Sequence, residues 1–341
     1  MGAKLDAIIK EVNKNAKEEI FTQGLNSFDY HRIPFTSPRM NYCTYGGIPI
    51  GKITEFYGEE HGGKTTTALD IVANYQNMEG AKDVLYIDAE NSLDTEWAKK
   101  IGVDIDNMYI LQPKEQSAED IFTIICSAVE SGETGLWVLD SIGVLLSKQE
   151  LEKEIDEKTY GGISLPLTRF GKMIVGLMPR YDCTGIAINQ LRDDMNSTWG
   201  GTKTPGGRAW KHYCSVRLEF RRGKFLDEKG NELTRAAQTP SGNEVLMTMT
   251  KNKTCPPNRR IGQYTINYNT GIDYLRDLVD VAITYEIIDK SGAWFTILDT
   301  ETGEVLSDKI QGQANVYAYL EENEDILLKV EEQVENRSNL A

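Results

Sequence analysis

The segment GEEHGGKT at residues 58–65, which directly follows the apolar run ITEFY at 53–57, decides the fold class. It fits the P-loop pattern G-x-x-x-x-G-K-[ST], whose glycines let backbone N–H groups wrap a phosphate chain. The helix after such a loop presents its positive N-terminal end to the same phosphates. Lys64 is then expected to reach the β- and γ-phosphates, and Thr65 to hold Mg²⁺. The pattern predicts a nucleotide site, and an ordinary glycine-rich turn is the alternative.

Short apolar runs separated by helical patterns extend this prediction along the chain. The runs lie at 53–57, 84–88, 136–140 and 185–189, and the segments between them have helical spacing. Apolar strands that alternate with amphipathic helices indicate βαβ units, and hence a mostly parallel sheet covered on both faces. The predicted fold class is therefore α/β.

Changes in this alternation of apolar runs and helical patterns divide the chain into three predicted regions. Residues 1–30 contain an amphipathic helix and a polar linker, which either pack on their own domain or form an arm that docks on a neighbour. Residues 31–269 form the nucleotide-binding core. Residues 270–341 have a mixed, acidic pattern that predicts a small α+β domain with an acidic tail. That tail either tunes nucleic-acid binding or serves as a solubilising surface.

The composition argues against several classes of protein. The 341 residues carry 37 Lys and Arg against 52 Asp and Glu, a formal net charge of −15. The length fits about two domains. The 40% hydrophobic and 26% charged residues argue against a disordered or fibrous chain. The acidic balance argues, at first, against a partner bound mainly through phosphate charge.

The cellular compartment can be predicted from the cysteines, the histidines and the apolar runs. The five cysteines and three histidines are scattered, so neither a disulfide scaffold nor a zinc site is expected. No stretch approaches the roughly 20 apolar residues of a membrane span, and residues 1–19 lack the apolar run of a signal peptide. We expect a cytoplasmic protein with reduced thiols and no membrane partner.

Two carboxylates are predicted at the same sheet edge as the phosphate loop. Asp140 ends the run LWVLD at 136–140, where a P-loop site needs a second group for Mg²⁺. Glu90 follows the strand at 84–88, and the carboxyl ends of parallel strands converge on the ligand. Glu90 is the candidate base for the attacking water. A solvated or helix-capping glutamate is the alternative.

Several motifs occur in the order, and near the spacing, of the bacterial RecA recombinases. DAENSLD (88–94), GGRAWKHY (206–213) and KNK (251–253) together separate that family from RadA proteins and DnaB-type helicases, which share the ATPase motifs. The chain resembles the family over residues 40–330, and KSGAWF (290–295) resembles its C-terminal domain. The resemblance implies a RecA-type P-loop ATPase core with an N-terminal helical arm. The divergence and short tail look like those of a bacteriophage-type member.

The resemblance implies roles for residues at matching positions. Glu90 would activate the hydrolytic water, and Gln190 would sense the γ-phosphate. Lys251 and Lys253 would act, with Lys64, as catalytic cations, the first two on the ATP of an adjacent subunit. The residues alone suggest that those two are solvated surface lysines. The predicted ATP-binding residues, with the last two at the adenine, are Gly58, Glu59, Glu60, His61, Gly62, Gly63, Lys64, Thr65, Thr66, Asp94 and Trp97.

Two loops, at 150–162 and 191–209, match the DNA-binding loops of the family. Single-strand binding uses an aromatic platform with nearby cations, and Trp199 in a pocket of a flexible surface loop is the alternative. Residues 199–224 carry seven Lys or Arg against Glu219 alone, so the local charge of +7 − 1 = +6 opposes that of the whole chain. The predicted DNA-binding residues are Tyr160, Gly161, Arg192, Trp199, Lys203, Gly206, Gly207 and Arg208.

The combined expectation is an ATP-dependent recombinase that forms head-to-tail helical filaments on single-stranded DNA and pairs it with homologous duplex DNA. A helicase or translocase motor with the same core is one alternative, and a nucleotide switch without hydrolysis is another. Departures from the family pattern at His61, Asp193, Asp194 and His212 leave the nucleotide affinity, the DNA affinity and their coupling open.

Overall fold

The computed structural model describes residues 3–16, 30–154, 162–193, 201–228, 230–234 and 239–339. The chain divides into two units, residues 1–31 and 32–341. The first unit contains helix α1 (Ala3–Ala16), which is amphipathic and ends with Lys14 in its last turn, a favourable position for a cation.

The second unit begins with the elements that carry the phosphate loop and the first half of the sheet. They are β1 (Arg32–Ile33), α2 (Pro38–Thr44), β2 (Ile48–Pro49), β3 (Ile53–Gly58), α3 (Lys64–Gln76), β4 (Asp83–Asp88), α4 (Thr95–Ile101), β5 (Met108–Leu111), α5 (Ala118–Glu130), β6 (Thr134–Asp140), α6 (Lys148–Leu151), α7 (Ser164–Leu177) and β7 (Thr184–Gln190).

The remaining elements complete the sheet and form the C-terminal part. They are β8 (Arg192–Asp193), β9 (Thr202–Lys203), α8 (Gly207–Tyr213), β10 (Val216–Leu226), β11 (Glu232–Leu233), β12 (Gly242–Asn252), β13 (Ile261–Asn267), β14 (Gly271–Ile272), α9 (Tyr274–Thr284), β15 (Ile288–Ser291), β16 (Trp294–Ile297), β17 (Ile310–Gln311), α10 (Gln313–Glu322) and α11 (Glu324–Asn339).

The central sheet has the strand order β14-β13-β12-β10-β3-β7-β6-β4-β5, with β11 paired to β10. Every neighbouring pair from β10 through β3, β7, β6 and β4 to β5 is parallel, and the pairs from β10 to β14 are antiparallel. The predicted α/β class with a mostly parallel sheet is therefore confirmed.

Helices cover both faces of this sheet, which explains why its central strands are apolar throughout. All seven residues of β6 are buried. One hydrophobic cluster joins α3 to one face through residues such as Ile71 and Val138, and the other joins α5 and α7 to the opposite face through residues such as Ile125 and Trp137. Ser117 fixes the start of α5 with a capping box.

The C-terminal part has a separate core. The antiparallel strands β15, β16 and β17 pack with α9, α10 and α11 around a cluster that includes Val281, Phe295 and Leu320. This matches the predicted small α+β domain. Helix α9 also contacts α2 of the core, where the rings of Tyr42 and Tyr285 meet edge to face at 5.4 Å. Within the described ranges, no helix combines the length and apolarity that crossing a bilayer requires.

Strand register sets the position of the site. Gly58 at the end of β3 lies opposite Gln190 at the end of β7, and Asp88 at the end of β4 lies opposite Asp140 at the end of β6. The carboxyl ends of these four strands therefore meet at one sheet edge, where α/β proteins bind ligands.

Candidate nucleotide-binding and DNA-binding sites

The phosphate loop joins β3 to the N-terminus of α3 and approaches neighbouring backbone closely. A Cβ atom on Gly58 would lie 2.0 Å from the carbonyl oxygen of Phe220, so only glycine fits there. Gly63 has a φ of +90°, which disfavours any side chain. His61 has a φ of +56°, a left-handed conformation that costs a non-glycine residue roughly 1 kcal/mol. The histidine that departs from the family pattern is thus accommodated with backbone strain.

Lys64 is buried at the base of this loop. Its Nζ donates to the carbonyl oxygens of Gly58 at 3.2 Å and Glu59 at 2.6 Å. Burial lowers the pKa of the Lys64 ammonium, and the carboxylates of Asp140 and Glu90 act in the opposite direction. The loop therefore folds around its own cation, in the cradle where backbone N–H groups would meet phosphate.

Asp140 and Thr65 form the second part of the site. Thr65 donates from Oγ1 to Oδ2 of Asp140 at 2.8 Å, and the hydroxyl of Tyr86 donates to the same oxygen at 2.9 Å. Burial raises the pKa of Asp140 to about 6. Mg²⁺ commonly uses one or two protein oxygens and completes its shell with water and substrate phosphate. A hydroxyl and a carboxylate at this distance, beside the phosphate cradle, fit that requirement.

Glu90 lies just beyond β4 and faces the ends of β6 and β7. Its Oε1 accepts from Ser141 Oγ at 2.5 Å and from Gln190 Nε2 at 2.7 Å. The structure thus brings the predicted base and the predicted sensor into direct contact. Ser141 was not singled out in the sequence, although its place after Asp140 could have pointed to it.

The predicted adenine-side residues lie at the start of α4. The indole nitrogen of Trp97 donates to Thr66 Oγ1 at 3.2 Å, which brings the ring against the phosphate-loop helix. Asp94 serves as the N-cap of α4 and accepts from the backbone N–H groups of Glu96 and Trp97, both at 3.0 Å. The Asp94 carboxylate therefore caps the N-terminus of α4.

A cavity of about 730 Å³ connects these groups. Sequence reasoning missed several described residues that line it. Ser92 lies within the quoted segment DAENSLD but was not singled out, and the others lie on or next to strands far along the chain from the phosphate loop. The predicted residues in its lining are Glu60, His61, Gly62, Gly63, Lys64, Thr65, Thr66, Glu90, Trp97, Asp140 and Gln190. The unpredicted ones are Ser92, Ile188, Arg222, Asn243, Ile266 and Tyr268.

Lys251 and Lys253 lie elsewhere, at the carboxyl end of α8. Lys251 Nζ donates to the carbonyl oxygens of His212 at 3.2 Å and Cys214 at 2.6 Å, and Lys253 Nζ donates to that of His212 at 3.1 Å. Burial lowers the pKa of Lys251, and the neighbouring Lys253 adds to the shift. Neither lysine is among the described residues that line the cavity.

Comparison with known proteins decides the family. The family model of the RecA N-terminal domain matches residues 3–273, and that of the RecA C-terminal domain matches residues 276–339. Protein RecA of Clostridium novyi (strain NT) is 38% identical over 299 residues, which cover 86% of this chain and 79% of that protein. Protein RecA of Lactobacillus acidophilus is 34% identical over 336 residues, which cover 97% of this chain and 87% of that protein. The chain belongs to the RecA family of recombinases. The resemblance predicted from the motifs is confirmed.

The first predicted RecA DNA loop is described only in part. Helix α6 begins it, and the Glu150 side chain caps that helix through Ser147. Tyr160 and Gly161, the predicted DNA-binding residues here, lie outside the described residues.

The second predicted RecA DNA loop is described at its two ends. Strands β8 and β9 pair antiparallel, with Arg192 opposite Lys203, so the ends of the loop lie side by side. Both residues are exposed, and Arg192 also donates to the carbonyl oxygen of Gly143. Trp199 and Asp194 lie outside the described residues, and Asp193 is exposed in β8.

The exit of that loop turns sharply into α8. Gly206 and Gly207 have φ values of +97° and +74°, and a Cβ atom on Gly206 would lie 2.4 Å from Leu167 Cδ2. Arg208 is exposed in the first turn of α8. The predicted glycines therefore fix the path of the chain, and the exposed cations flank it.

Proposed function

We propose that this chain is an ATP-driven recombinase that binds single-stranded DNA as a head-to-tail filament and hydrolyses ATP when DNA is bound. RecA-family proteins are DNA-dependent ATPases that work on DNA as filaments, and the family match supports both assignments for this chain. The single observation that carries the proposal is the contact between Gln190 and Glu90 beside Lys64 and the Thr65–Asp140 pair.

The residues of the cavity divide the chemistry between them. Lys64 and the backbone N–H groups of the loop bind the β- and γ-phosphates, which requires the ammonium to exchange carbonyl oxygens for phosphate oxygens. Thr65 and Asp140 would hold Mg²⁺, whose charge offsets that of the phosphates. Glu90 accepts a proton from the attacking water as the new P–O bond forms and the bond to the ADP oxygen breaks. Gln190, which contacts Glu90, is placed to respond to the γ-phosphate.

Lys251 and Lys253 are proposed to serve the ATP of the next subunit. Their ammonium groups lie at the carboxyl end of α8 rather than in the cavity of their own chain. A head-to-tail interface brings two different surfaces together and propagates as an open helix. Cations supplied across such an interface stabilise the charge that develops in phosphoryl transfer.

DNA is proposed to lie along the two loops. The cations Arg192, Lys203 and Arg208 at the described ends of the second loop would bind the phosphate backbone, while Trp199 would stack on bases. Such contacts read no sequence, so homology would be tested by base pairing with the duplex partner. The three-part division at residues 30 and 269, a cytoplasmic location and a bacteriophage-type origin stay predictions.

A DNA-dependent ATPase assay coupled to a strand-exchange assay tests the proposal. We expect single-stranded DNA to stimulate hydrolysis, and Lys64→Ala to abolish ATP-dependent DNA binding, with Lys114→Ala as an exposed control. Electron microscopy with ATP and DNA should show open filaments. Closed hexameric rings would favour a helicase or translocase, and hydrolysis at background with DNA present would favour a nucleotide switch.

A further inference from the structure

Glu55 is a fully buried carboxylate in β3, three residues before the phosphate loop begins. Its Oε1 accepts from Asn189 Nδ2 at 2.8 Å and from Trp210 Nε1 at 3.1 Å, and its Oε2 accepts from Arg217 Nε. A buried charge is costly unless it is paired and hydrogen-bonded, and a buried ion pair seldom adds stability over apolar packing. The network is therefore weak evidence for a purely stabilising role, and what its donors connect becomes informative.

The donors to Glu55 come from segments that flank the two ends of the second DNA loop. Asn189 precedes Gln190 at the end of β7, where the chain enters the loop. Trp210 lies in α8, directly after the loop. Arg217 lies beside Glu55 in the parallel register of β10 and β3, and its Nη2 donates to Thr204 Oγ1 at 3.3 Å. One carboxylate thus ties both loop ends to the central sheet.

Asn189 connects the sensor to this network directly. Its Oδ1 accepts from the backbone N–H of Gln190 at 3.0 Å. Its Nδ2 donates to Glu55 and also to the carbonyl oxygen of Pro205 at 3.1 Å. The side-chain amide of Asn189 therefore links the backbone of Gln190, where the chain enters the loop, to the backbone of Pro205, near its exit.

Arg217 extends the network toward the phosphate loop and the lysines. Its guanidinium stacks on the ring of Tyr57 at 4.3 Å, and Tyr57 is the residue before Gly58. The Tyr57 hydroxyl donates to Thr250 Oγ1 at 2.9 Å, one residue before Lys251. Through Tyr57, the ion pair is therefore linked both to the strand that leads into the phosphate loop and to the strand that carries Lys251.

We propose that Glu55 is a positioning residue that couples the nucleotide state of the cavity to the second DNA loop. The inference rests on the proposed function and adds the element that transmits the signal. Because Glu55 and Arg217 lie on adjacent strands of the sheet, they form a fixed support. A displacement of Gln190 then moves Asn189 and Pro205 relative to Glu55 and Arg217. The segment 204–210 moves as a result. Hydrogen-bond networks with two discrete arrangements carry coupling of this kind.

The test measures coupling separately from folding and activity. The affinity for a fluorescent oligo-dT is measured with and without a non-hydrolysable ATP analogue, and the ratio of the two affinities is the coupling factor. Glu55→Gln should lower this ratio about tenfold while the affinity for the analogue changes by about twofold or less. Thr204→Val, which removes only the hydroxyl bonded to Arg217, should lower the ratio about threefold. Thr123→Val, at an exposed threonine of α5 outside both DNA loops, is the matched control and should match wild type.

Each result decides between distinct conclusions. An unchanged ratio in folded Glu55→Gln and Thr204→Val overturns the inference. So does an equal loss of DNA affinity with and without the analogue, since that pattern is structural damage. If Glu55→Gln does not fold, the coupling factor of Thr204→Val alone tests the inference. If wild type itself shows no effect of the analogue on DNA affinity, the proposed function fails, and that failure is visible before any variant is made.

Discussion

Gln190 donates a 2.7 Å hydrogen bond from Nε2 to Oε1 of Glu90, across the end of the β6 strand that lies between them. Ser141, at the end of β6, donates to the same oxygen at 2.5 Å. Three neighbouring strand ends are therefore joined at one carboxylate oxygen. These two hydrogen bonds fix the orientation of the Glu90 carboxylate, while its second oxygen can still accept from a water molecule. The proposed sensor thus contacts the proposed base directly.

Glu90→Gln should bind ATP and form ATP-dependent complexes with DNA, yet hydrolyse ATP about 100-fold more slowly or worse. The amide keeps the size of the carboxylate and can still accept from Ser141, but it cannot accept the proton of water. The rate of DNA-dependent phosphate release measures the effect. Glu96→Gln, an exposed glutamate on α4 that pairs with Lys99, is the control and should behave as wild type. An unchanged rate in Glu90→Gln would assign the base elsewhere.

Mixed filaments should reveal that Lys251 acts across the subunit interface. Lys251→Ala and Glu90→Gln chains should each be nearly inactive alone. In an equal mixture, about a quarter of the interfaces pair an intact Glu90 on one chain with an intact Lys251 on the next, so about a quarter of the wild-type rate should return. Phosphate release by the mixture, compared with each variant alone, measures it.

The result of mixing separates two arrangements. If Lys251 served the ATP of its own chain, no mixture could restore a complete site, and the rate would stay at the sum of the two inactive variants. A Lys309→Ala chain, altered at an exposed lysine of the C-terminal part, mixed with Glu90→Gln controls for dilution. This control mixture should hydrolyse ATP at a rate proportional to its fraction of Lys309→Ala chains, because only those chains carry an intact Glu90.

The sequence predicted the phosphate-loop part of the cavity lining because such a loop depends on local backbone geometry. Glycines and a lysine at fixed spacing, between a strand and a helix, determine the cradle wherever they occur. The partners of Glu55 could not be predicted in this way, since they lie 134 to 162 residues further along the chain. Within ITEFY, a glutamate resembles a solvent-facing strand position. The structure shows instead that this glutamate is fully buried and lies beside Arg217 of the adjacent strand.

Asp94 illustrates a further limit of sequence reasoning. The family pattern placed it beside adenine, and the structure shows its carboxylate capping α4 through two backbone N–H groups. Aspartate before a helix is a frequent N-cap, so this alternative was visible in the sequence. Both cap hydrogen bonds use Oδ1 of Asp94, so its other oxygen can still contact adenine, and that role stays a prediction.

Asp70 should make the folded chain more stable as the pH falls from 7 to 5. Burial raises its pKa to about 6, from 3.8, although Thr36 N–H donates to it at 3.0 Å. Because the folded state keeps this proton at a pH where the unfolded chain has lost it, ionisation costs stability as the pH rises through this window. Relative to Asp70→Asn, wild type should gain about 1 kcal/mol between pH 7 and pH 5.

Chemical unfolding of both chains at the two pH values measures this difference. The comparison removes the contribution of every other titrating group that the two chains share. Asp83→Asn, at an exposed aspartate that begins β4, is the control and should show no such gain. If the difference between wild type and Asp70→Asn did not depend on pH, the carboxyl would titrate alike in both states and the raised pKa would be wrong.

Trp199 fluorescence should be quenched when oligo-dT binds in the presence of ATP, because a base stacked on the indole offers a path for energy and electron transfer. The chain has five tryptophans, and Trp137 and Trp210 are fully buried, so the signal must be assigned by substitution. Trp199→Phe should abolish the quenching and weaken binding by about 1 to 3 kcal/mol. Trp294→Phe, at the half-exposed tryptophan of the C-terminal part, should leave both unchanged. Quenching that survives in Trp199→Phe, with DNA binding verified by anisotropy, would remove Trp199 from the DNA path.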